Sequence, residues 1–120
     1  CKVYCEILPH DAPLEKILAL KPKGVIFSGG PSSVYEVESP QCAEGLFHSG
    51  VPILGICYGH QLMAHMMGGR VTPADKREFG KTELDVEKNA PLYKGLNRRL
   101  ICWMSHGDYV LEVPEGFEVT

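Results

Sequence analysis

The sequence predicts an α/β fold in which a mostly parallel sheet carries flanking helices. Residues 24–27 and 51–56 are short apolar runs without alternation, which is typical of strands buried on both faces of a sheet. A turn that contains glycine follows each run, and segments with helical character lie between and after the runs. Strands that alternate with helices along a chain are the pattern of a parallel sheet.

The first half of the chain supplies the elements of this predicted sheet. Three segments are predicted helices from their apolar spacing and their boundary residues: residues 13–20, 41–48 and 60–67. An alternating segment, residues 3–7, is predicted to precede the two apolar runs as a further strand. Gly68 and Gly69 are expected to end the third helix.

The second half of the chain has a different pattern. Residues 82–87 and 109–113 alternate between polar and apolar side chains, and residues 100–104 are apolar. We predict further strands joined by tight turns, which form an antiparallel extension of the sheet. Because the chain begins at Cys1 within a strand-like segment, we interpret residues 1–120 as a single partial domain truncated at both ends.

Composition and charge exclude several classes of protein. The 120 residues suffice for one hydrophobic core, and 44% hydrophobic with 22% charged residues is a globular composition. A net charge of −3 provides no basic face for nucleic acid. No apolar run approaches the roughly 20 residues that span a bilayer, so we expect no membrane association.

The cysteine pattern indicates a reducing compartment, and we expect a cytoplasmic protein. The five cysteines are an odd number at irregular spacing, which does not fit a disulfide framework. The five histidines do not cluster with them at zinc-ligand spacing, so we expect no metal site. We interpret four of the cysteines as packing residues: Cys1, Cys5, Cys42 and Cys102.

The fifth cysteine, Cys57, lies in a Gly-Ile-Cys-Tyr-Gly segment that fits the G-x-C-x-G pattern of a nucleophile elbow. Such a turn joins a strand to a helix, and Gly55 and Gly59 prevent steric collisions on either side of it. The positive end of the helix is expected to favour the thiolate, and the Tyr58 amide is placed to donate to an oxyanion. A lone cysteine at a strand end is more often a small buried side chain. The two glycines, the strand and the helix favour the nucleophile here.

A second glycine-rich turn, residues 28–31, follows the other apolar run. In a parallel sheet, its position at the end of a strand places it at the same edge as Cys57. A backbone amide of this Ser-Gly-Gly-Pro turn could complete an oxyanion hole, and a simple turn is the alternative. A phosphate-binding loop is disfavoured because neither G-x-G-x-x-G nor a Walker lysine follows.

Two segments together resemble the class I glutamine amidotransferases: residues 27–31 (Phe-Ser-Gly-Gly-Pro) and 54–64 (Leu-Gly-Ile-Cys-Tyr-Gly-His-Gln-Leu-Met-Ala). Three more are similar to the members of this family that serve GMP synthetases: residues 77–80 (Arg-Glu-Phe-Gly), 103–108 (Trp-Met-Ser-His-Gly-Asp) and 114–117 (Pro-Glu-Gly-Phe). The resemblance covers nearly the whole chain, and it implies a flavodoxin-like α/β fold.

The resemblance also implies a reaction and a set of site residues. Cys57 is expected to attack the side-chain amide of L-glutamine, form a γ-glutamyl thioester and release ammonia. The backbone amides of Gly30 and Tyr58 are expected to bind the tetrahedral oxyanion. The remaining site residues are expected to bind the substrate: Gly55, Gln61, Ser105, His106, Gly107 and Asp108.

Members of the family pass ammonia to the ATP-pyrophosphatase domain or subunit of GMP synthetase, which aminates XMP to GMP in purine biosynthesis. The resemblance therefore places ATP and magnesium in that partner and no cofactor in this domain. The family completes its catalytic triad with a His-Pro-Glu motif, which these 120 residues lack. We do not expect efficient turnover from this segment, since a thiolate without its histidine cannot readily protonate the leaving ammonia.

Other interpretations remain open on the sequence alone. The chain could be an incomplete fragment that only docks a synthetase, the amidotransferase of another class I enzyme, or an unrelated cysteine hydrolase. The Ser-Gly-Gly-Pro turn and Gln61 count against the hydrolase. His106 is the strongest candidate for a substitute base, although a structural role is favoured, and His60 is interpreted as facing a partner. Arg77 and Glu78 are either an ordinary solvated pair or residues that shape the site.

Overall fold

The computed structural model describes residues 2–88 and 90–120, and it describes their side chains except for residues 75–78. The interpretations of Cys1 and of the Arg77 and Glu78 side chains therefore lie outside the described part of the chain. Within that part, the structure contains two α-helices, two 3₁₀ helices and four strands: α1 (Leu14–Ala19), β1 (Val25–Phe27), η1 (Glu44–His48), β2 (Ile53–Gly55), α2 (Tyr58–Met66), β3 (Arg70–Asp85), η2 (Pro91–Tyr93) and β4 (Arg99–Glu112).

Strands β1 and β2 form the parallel pair that the two apolar runs predict. Val25 lies opposite Ile53 and Phe27 opposite Gly55, so both strands end at the same edge. The Ile56 amide donates to the Phe27 carbonyl oxygen at 2.9 Å, which continues the pairing to the residue before Cys57. The α/β fold class is confirmed.

The expectation that these strands are buried on both faces is wrong for the described residues. Helix α2 contacts both strands, but Ile26 is 63% exposed and Leu54 is 39% exposed on the other face. An apolar run shows that a strand has apolar side chains on both faces. It does not show that other parts of the protein pack against both faces.

Two further predicted elements differ from the structure. Residues 3–7 form no strand, and the side chains of Val3, Tyr4 and Ile7 are exposed. Alternation alone cannot make a strand, because its backbone groups need a neighbouring strand to pair with. The predicted helix over residues 41–48 is reduced to the 3₁₀ helix η1, where Gly45 is a poor helix former that lies against Leu14.

The predicted antiparallel strands are present and longer than predicted, but in the described residues they form a second sheet of two strands rather than an extension of the parallel pair. Strand β3 pairs with β4 from Arg70 opposite Glu112 to Asp85 opposite Arg99, and β4 is one strand rather than two. The register shifts between Pro73 and residue 78, across from Gly107. This irregularity lies in the part of β4 that passes the first turns of α2.

Helix α2 lies at the centre of the core and contacts all four strands. It begins one residue after Cys57 and ends at Met66, two residues before Gly68, which has the positive φ of 89° typical of a helix-terminating glycine. The main cluster of buried side chains comprises Val34, Tyr58, Leu62, Ala64 and Val71. None of the helices in the described residues is both long and apolar enough to cross a membrane.

Candidate active site

Cys57 lies in the sharp turn between β2 and α2, with φ 49° and ψ −114°. A positive φ is uncommon for a residue with a side chain and costs about 1–3 kcal/mol, so the surroundings must hold it in place. The flanking glycines make the turn possible by allowing close packing. A Cβ atom at Gly55 would lie 2.6 Å from the His60 Cα, and one at Gly59 would lie 2.3 Å from the Phe27 carbonyl oxygen. The structure thus contains the turn that the G-x-C-x-G pattern predicts.

The Ser-Gly-Gly-Pro turn lies directly against this elbow. A Cβ atom at Gly29 would lie 3.3 Å from the Cys57 Cβ and 3.8 Å from its Sγ, and one at Gly30 would lie 3.8 Å from the Tyr58 Cβ. Neither glycine is among the residues with positive φ, so close approach rather than unusual backbone angles explains why glycine occurs there. The edge position predicted from the sequence therefore brings residues 29–30 and 57–58 together.

Gln61 joins the elbow helix to β4 on the opposite side. Its side chain is 5% exposed, and its Nε2 donates to the Asp108 carbonyl oxygen at 2.7 Å. The carboxylate oxygen Oδ2 of Asp108 is buried and has no hydrogen-bond partner among the described residues. Two predicted substrate-binding residues, Gln61 and Asp108, are thus in contact, whereas Ser105 is exposed three residues earlier on β4.

His106 lies close enough to His60 to act on it electrostatically. Although the His60 side chain keeps solvent exposure, desolvation by the surrounding protein lowers the pKa of His60, and the charge of His106 lowers it further. His106 is half-buried on β4. His60 is exposed, and its interpretation as a position that faces a partner stays a prediction.

The side chain of Tyr58 lies at the candidate site, whereas the sequence pattern predicts a role for its backbone amide alone. Tyr58 is 6% exposed, and its hydroxyl donates to the Pro40 carbonyl oxygen at 2.6 Å. The sequence contained a signal for such a bond, because a tyrosine in a buried helix turn needs a hydrogen-bond acceptor for its hydroxyl.

The remaining described cysteines differ from Cys57 in their surroundings. Burial raises the pKa of the Cys42 thiol, which lies 3.7 Å from the sulfur of Met66, as expected for an inert packing residue. Cys102 is half-buried on β4, but Cys5 is exposed, so its interpretation as a packing residue is wrong. Cys5 belongs to the segment that forms no strand and therefore has nothing to pack against. The described His, Cys, Asp and Glu side chains contain no group of three that could hold a metal ion.

The whole chain, residues 1–120, matches the family described as glutamine amidotransferase class-I. The chain belongs to this family. It is 58% identical over 119 residues to the glutamine-hydrolyzing GMP synthase of Caldicellulosiruptor saccharolyticus and 56% identical to that of Carboxydothermus hydrogenoformans, with 99% of this chain covered in each case. The chain spans 23% of the length of these curated relatives.

Solved structures of amidotransferases have the same fold. A GMP synthase subunit from Thermoplasma acidophilum superimposes with a TM-score of 0.75 at 29% identity, covering 92% of this chain and 55% of that one. A glutamine amidotransferase from Thermotoga maritima gives a TM-score of 0.72 at 27% identity, covering 87% of this chain and 46% of that one. Membership of the family excludes the unrelated cysteine hydrolase.

Proposed function

We propose that this chain is the glutamine-hydrolysing part of a GMP synthase and that Cys57 is its nucleophile. The observation that supports this most strongly is the strained turn at Cys57, against which the Gly29–Gly30 turn is packed. The thiol lies at the positive end of a helix, and two backbone segments surround it. This arrangement is suited to attack on an amide carbonyl.

The proposed reaction begins when the Cys57 Sγ forms a bond to the side-chain carbonyl carbon of glutamine. The carbonyl oxygen becomes an oxyanion, and the amides of Tyr58 and Gly30 donate hydrogen bonds to it. The carbon–nitrogen bond then breaks, and a general acid supplies the proton with which ammonia leaves. Water hydrolyses the γ-glutamyl thioester, which releases glutamate and the free thiol.

The amino-acid end of glutamine is proposed to bind between α2 and β4. Asp108 has a buried carboxylate oxygen without a described partner, which suits the α-ammonium group of the substrate. Gln61 fixes the backbone of Asp108, and the backbone of Ser105, His106 and Gly107 continues the same wall. Gly55 gives α2 room to begin, because a Cβ atom there would lie 2.6 Å from the His60 Cα.

The destination of the ammonia is proposed from the relatives. The two curated relatives described above are named glutamine-hydrolyzing GMP synthases, and most of their length lies beyond the matched segment. We infer that the ammonia reaches an ATP-pyrophosphatase part, as a domain or a subunit, that binds ATP and magnesium and aminates XMP. A cytoplasmic location fits such an enzyme.

The test compares Cys57→Ala with Cys102→Ala in the full-length protein. Removal of the nucleophile is expected to lower glutamine hydrolysis by at least about 10³-fold, while the matched cysteine change leaves it within about twofold. A glutamine-analogue electrophile should label Cys57, as located by peptide mass spectrometry. Unchanged hydrolysis in Cys57→Ala, or labelling elsewhere, would reject Cys57 as the nucleophile.

The same proteins distinguish a GMP synthase from another class I amidotransferase. With ATP and XMP, Cys57→Ala is expected to lose GMP formation from glutamine and to keep it from added ammonia, because the amination step does not need the thiol. If the full-length wild type hydrolyses glutamine but forms no GMP from either nitrogen source, the family assignment stands and the GMP synthase proposal fails.

A further inference from the structure

Residues 31–42 form a strap that runs from the Ser-Gly-Gly-Pro turn across α2, and two tyrosine hydroxyls fix this strap. The Tyr58 hydroxyl, on α2, donates to the Pro40 carbonyl oxygen of the strap at 2.6 Å. The Tyr35 hydroxyl, on the strap, donates to the Val71 carbonyl oxygen of β3, also at 2.6 Å. Val34 of the strap is 4% exposed and belongs to the same buried cluster as Tyr58.

Tyr58 also lies next to the turn that is proposed to form the oxyanion hole. A Cβ atom at Gly30 would lie 3.9 Å from Cγ and 4.0 Å from Cδ1 of the Tyr58 ring, so the ring borders the side of Gly30 on which a side chain would stand. The Tyr35 ring lies instead against His65, with ring centroids 5.3 Å apart and far along α2 from Cys57. The two hydroxyls therefore make hydrogen bonds of equal length at different distances from the elbow.

We propose that the Tyr58 side chain is a positioning residue that sets the Gly30 amide relative to the thiol of Cys57. The hydroxyl bond to Pro40 fixes the orientation of the ring, and the ring in turn borders Gly30. Tyr58 thus contributes one oxyanion amide from its own backbone and holds the second through its side chain. This inference rests on the proposed hydrolysis of glutamine by Cys57.

The effect should fall on the chemical step rather than on substrate binding. An oxyanion donor acts on charge that exists only in the transition state, so a displaced donor lowers kcat and leaves KM nearly unchanged. Removal of a whole oxyanion donor costs about 10²–10³-fold in kcat, and a donor that is displaced rather than removed should cost less, about tenfold.

The experiment uses the full-length protein with Tyr58→Phe and, as the matched control, Tyr35→Phe. Each change removes one hydroxyl that donates to a backbone carbonyl at 2.6 Å. Because Tyr58 is 6% exposed and Tyr35 is 54% exposed, Tyr58→Phe should lose more stability in urea unfolding, and kcat is therefore compared under conditions in which both variants are fully folded. Tyr58→Phe is expected to lower kcat for glutamine hydrolysis about tenfold with KM within about twofold, and Tyr35→Phe to keep both within about twofold. Tyr58→Leu, which also removes the ring, should lower kcat further than Tyr58→Phe.

The possible outcomes separate this inference from the proposed function. Equal kcat losses in the two Phe variants, or a wild-type kcat in Tyr58→Phe, would overturn the positioning role while the wild type remains an active glutaminase. A rise in KM alone would overturn it too, since it would place Tyr58 in substrate binding. A full-length wild type that does not hydrolyse glutamine would overturn the proposed function and this inference with it.

Discussion

Cys57 shows how one residue depends on its neighbours for its conformation. Its φ of 49° is unfavourable for an isolated residue with a side chain, yet the pairing of Ile56 with Phe27 and the start of α2 leave the chain no other path. The turn places the half-buried Cys57 at the end of β2, next to Gly29. A substitution of Cys57 should therefore remove the thiol, while the residues on either side still hold the backbone of the turn.

His60 is a second residue whose behaviour follows from its surroundings. Because desolvation and then His106 lower its pKa, the folded chain binds a proton at His60 less readily than the unfolded chain does. The unfolded state therefore binds more protons below an ordinary histidine pKa of about 6.5, and stability must fall as the pH decreases through that region.

We therefore expect His60→Gln to lose less stability than wild type between about pH 7 and about pH 5, since it lacks this proton-linked difference. Urea midpoints of both proteins at the two pH values measure it. In a histidine NMR titration, His106→Gln should raise the pKa of His60 toward its ordinary value, because it removes the second cause of the shift. Parallel losses of stability in wild type and His60→Gln would contradict the expectation.

At the scale of elements, the position of α2 against β1 depends on a contact that only glycine permits. Gly59 lies in the first turn of α2, where alanine would favour the helix by about 1 kcal/mol. A Cβ atom there would, however, lie 2.3 Å from the Phe27 carbonyl oxygen, which is held in place because it accepts a hydrogen bond from the Ile56 amide. The steric term should therefore outweigh the helix propensity.

Gly59→Ala is accordingly expected to destabilise the protein by about 1–3 kcal/mol and to reduce glutamine hydrolysis, because α2 must move away from β1. Gly24→Ala is the matched control. Its Cβ atom would lie 3.5 Å from the Pro52 carbonyl oxygen, an ordinary contact, so a change within about 0.5 kcal/mol is expected. Urea unfolding compares the two, and equal stability losses would show that the contact at Phe27 does not control the helix position.

The elements that could be predicted from the sequence are those with strong local signals. Helix α2 follows from apolar spacing, two terminal glycines and the preceding motif, and β1 and β2 follow from apolar runs. The extent of β3 could not be predicted, since Pro73 and Gly80 interrupt its alternation and only pairing with β4 makes it one strand. Residues 3–7 show the opposite case. Their local pattern predicts a strand, but they form none because no described strand pairs with them.

The sequence predicts those parts of the candidate site that depend on the backbone of its two turns. The G-x-C-x-G pattern and the position of residues 28–31 at a strand end correctly predict that the two turns meet. The hydrogen bonds from Tyr58 to Pro40 and from Gln61 to Asp108 join residues that are 18 and 47 positions apart, and no local pattern encodes such pairs. The influence of His106 on His60 is likewise a tertiary effect.

For the whole molecule, the candidate site depends on how the two sheets meet. The parallel pair contributes Cys57 and the Gly29–Gly30 turn, and the antiparallel pair contributes Asp108. Helix α2 packs between them, and the Gln61 side chain provides a direct hydrogen bond from this helix to β4 at 2.7 Å. Gln61 should therefore couple the wall that is proposed to bind substrate to the turn that bears the thiol.

Gln61→Met tests this coupling, because methionine keeps the length of the side chain and loses the donor. The Asp108 carbonyl would lose its partner, at a cost of about 1–3 kcal/mol if it stays buried, so amides near residues 106–110 should exchange hydrogen faster in the full-length protein. Exchange in β1 and β2 should remain as in wild type, and KM for glutamine should rise more than kcat falls. Gln41→Met is the control, since the Gln41 side chain is exposed and donates to the Ser39 hydroxyl at 3.0 Å within the strap rather than to β4. If hydrogen exchange became faster by the same factor across both sheets, or if the exchange pattern equalled that of Gln41→Met, Gln61 would not link β4 to the elbow.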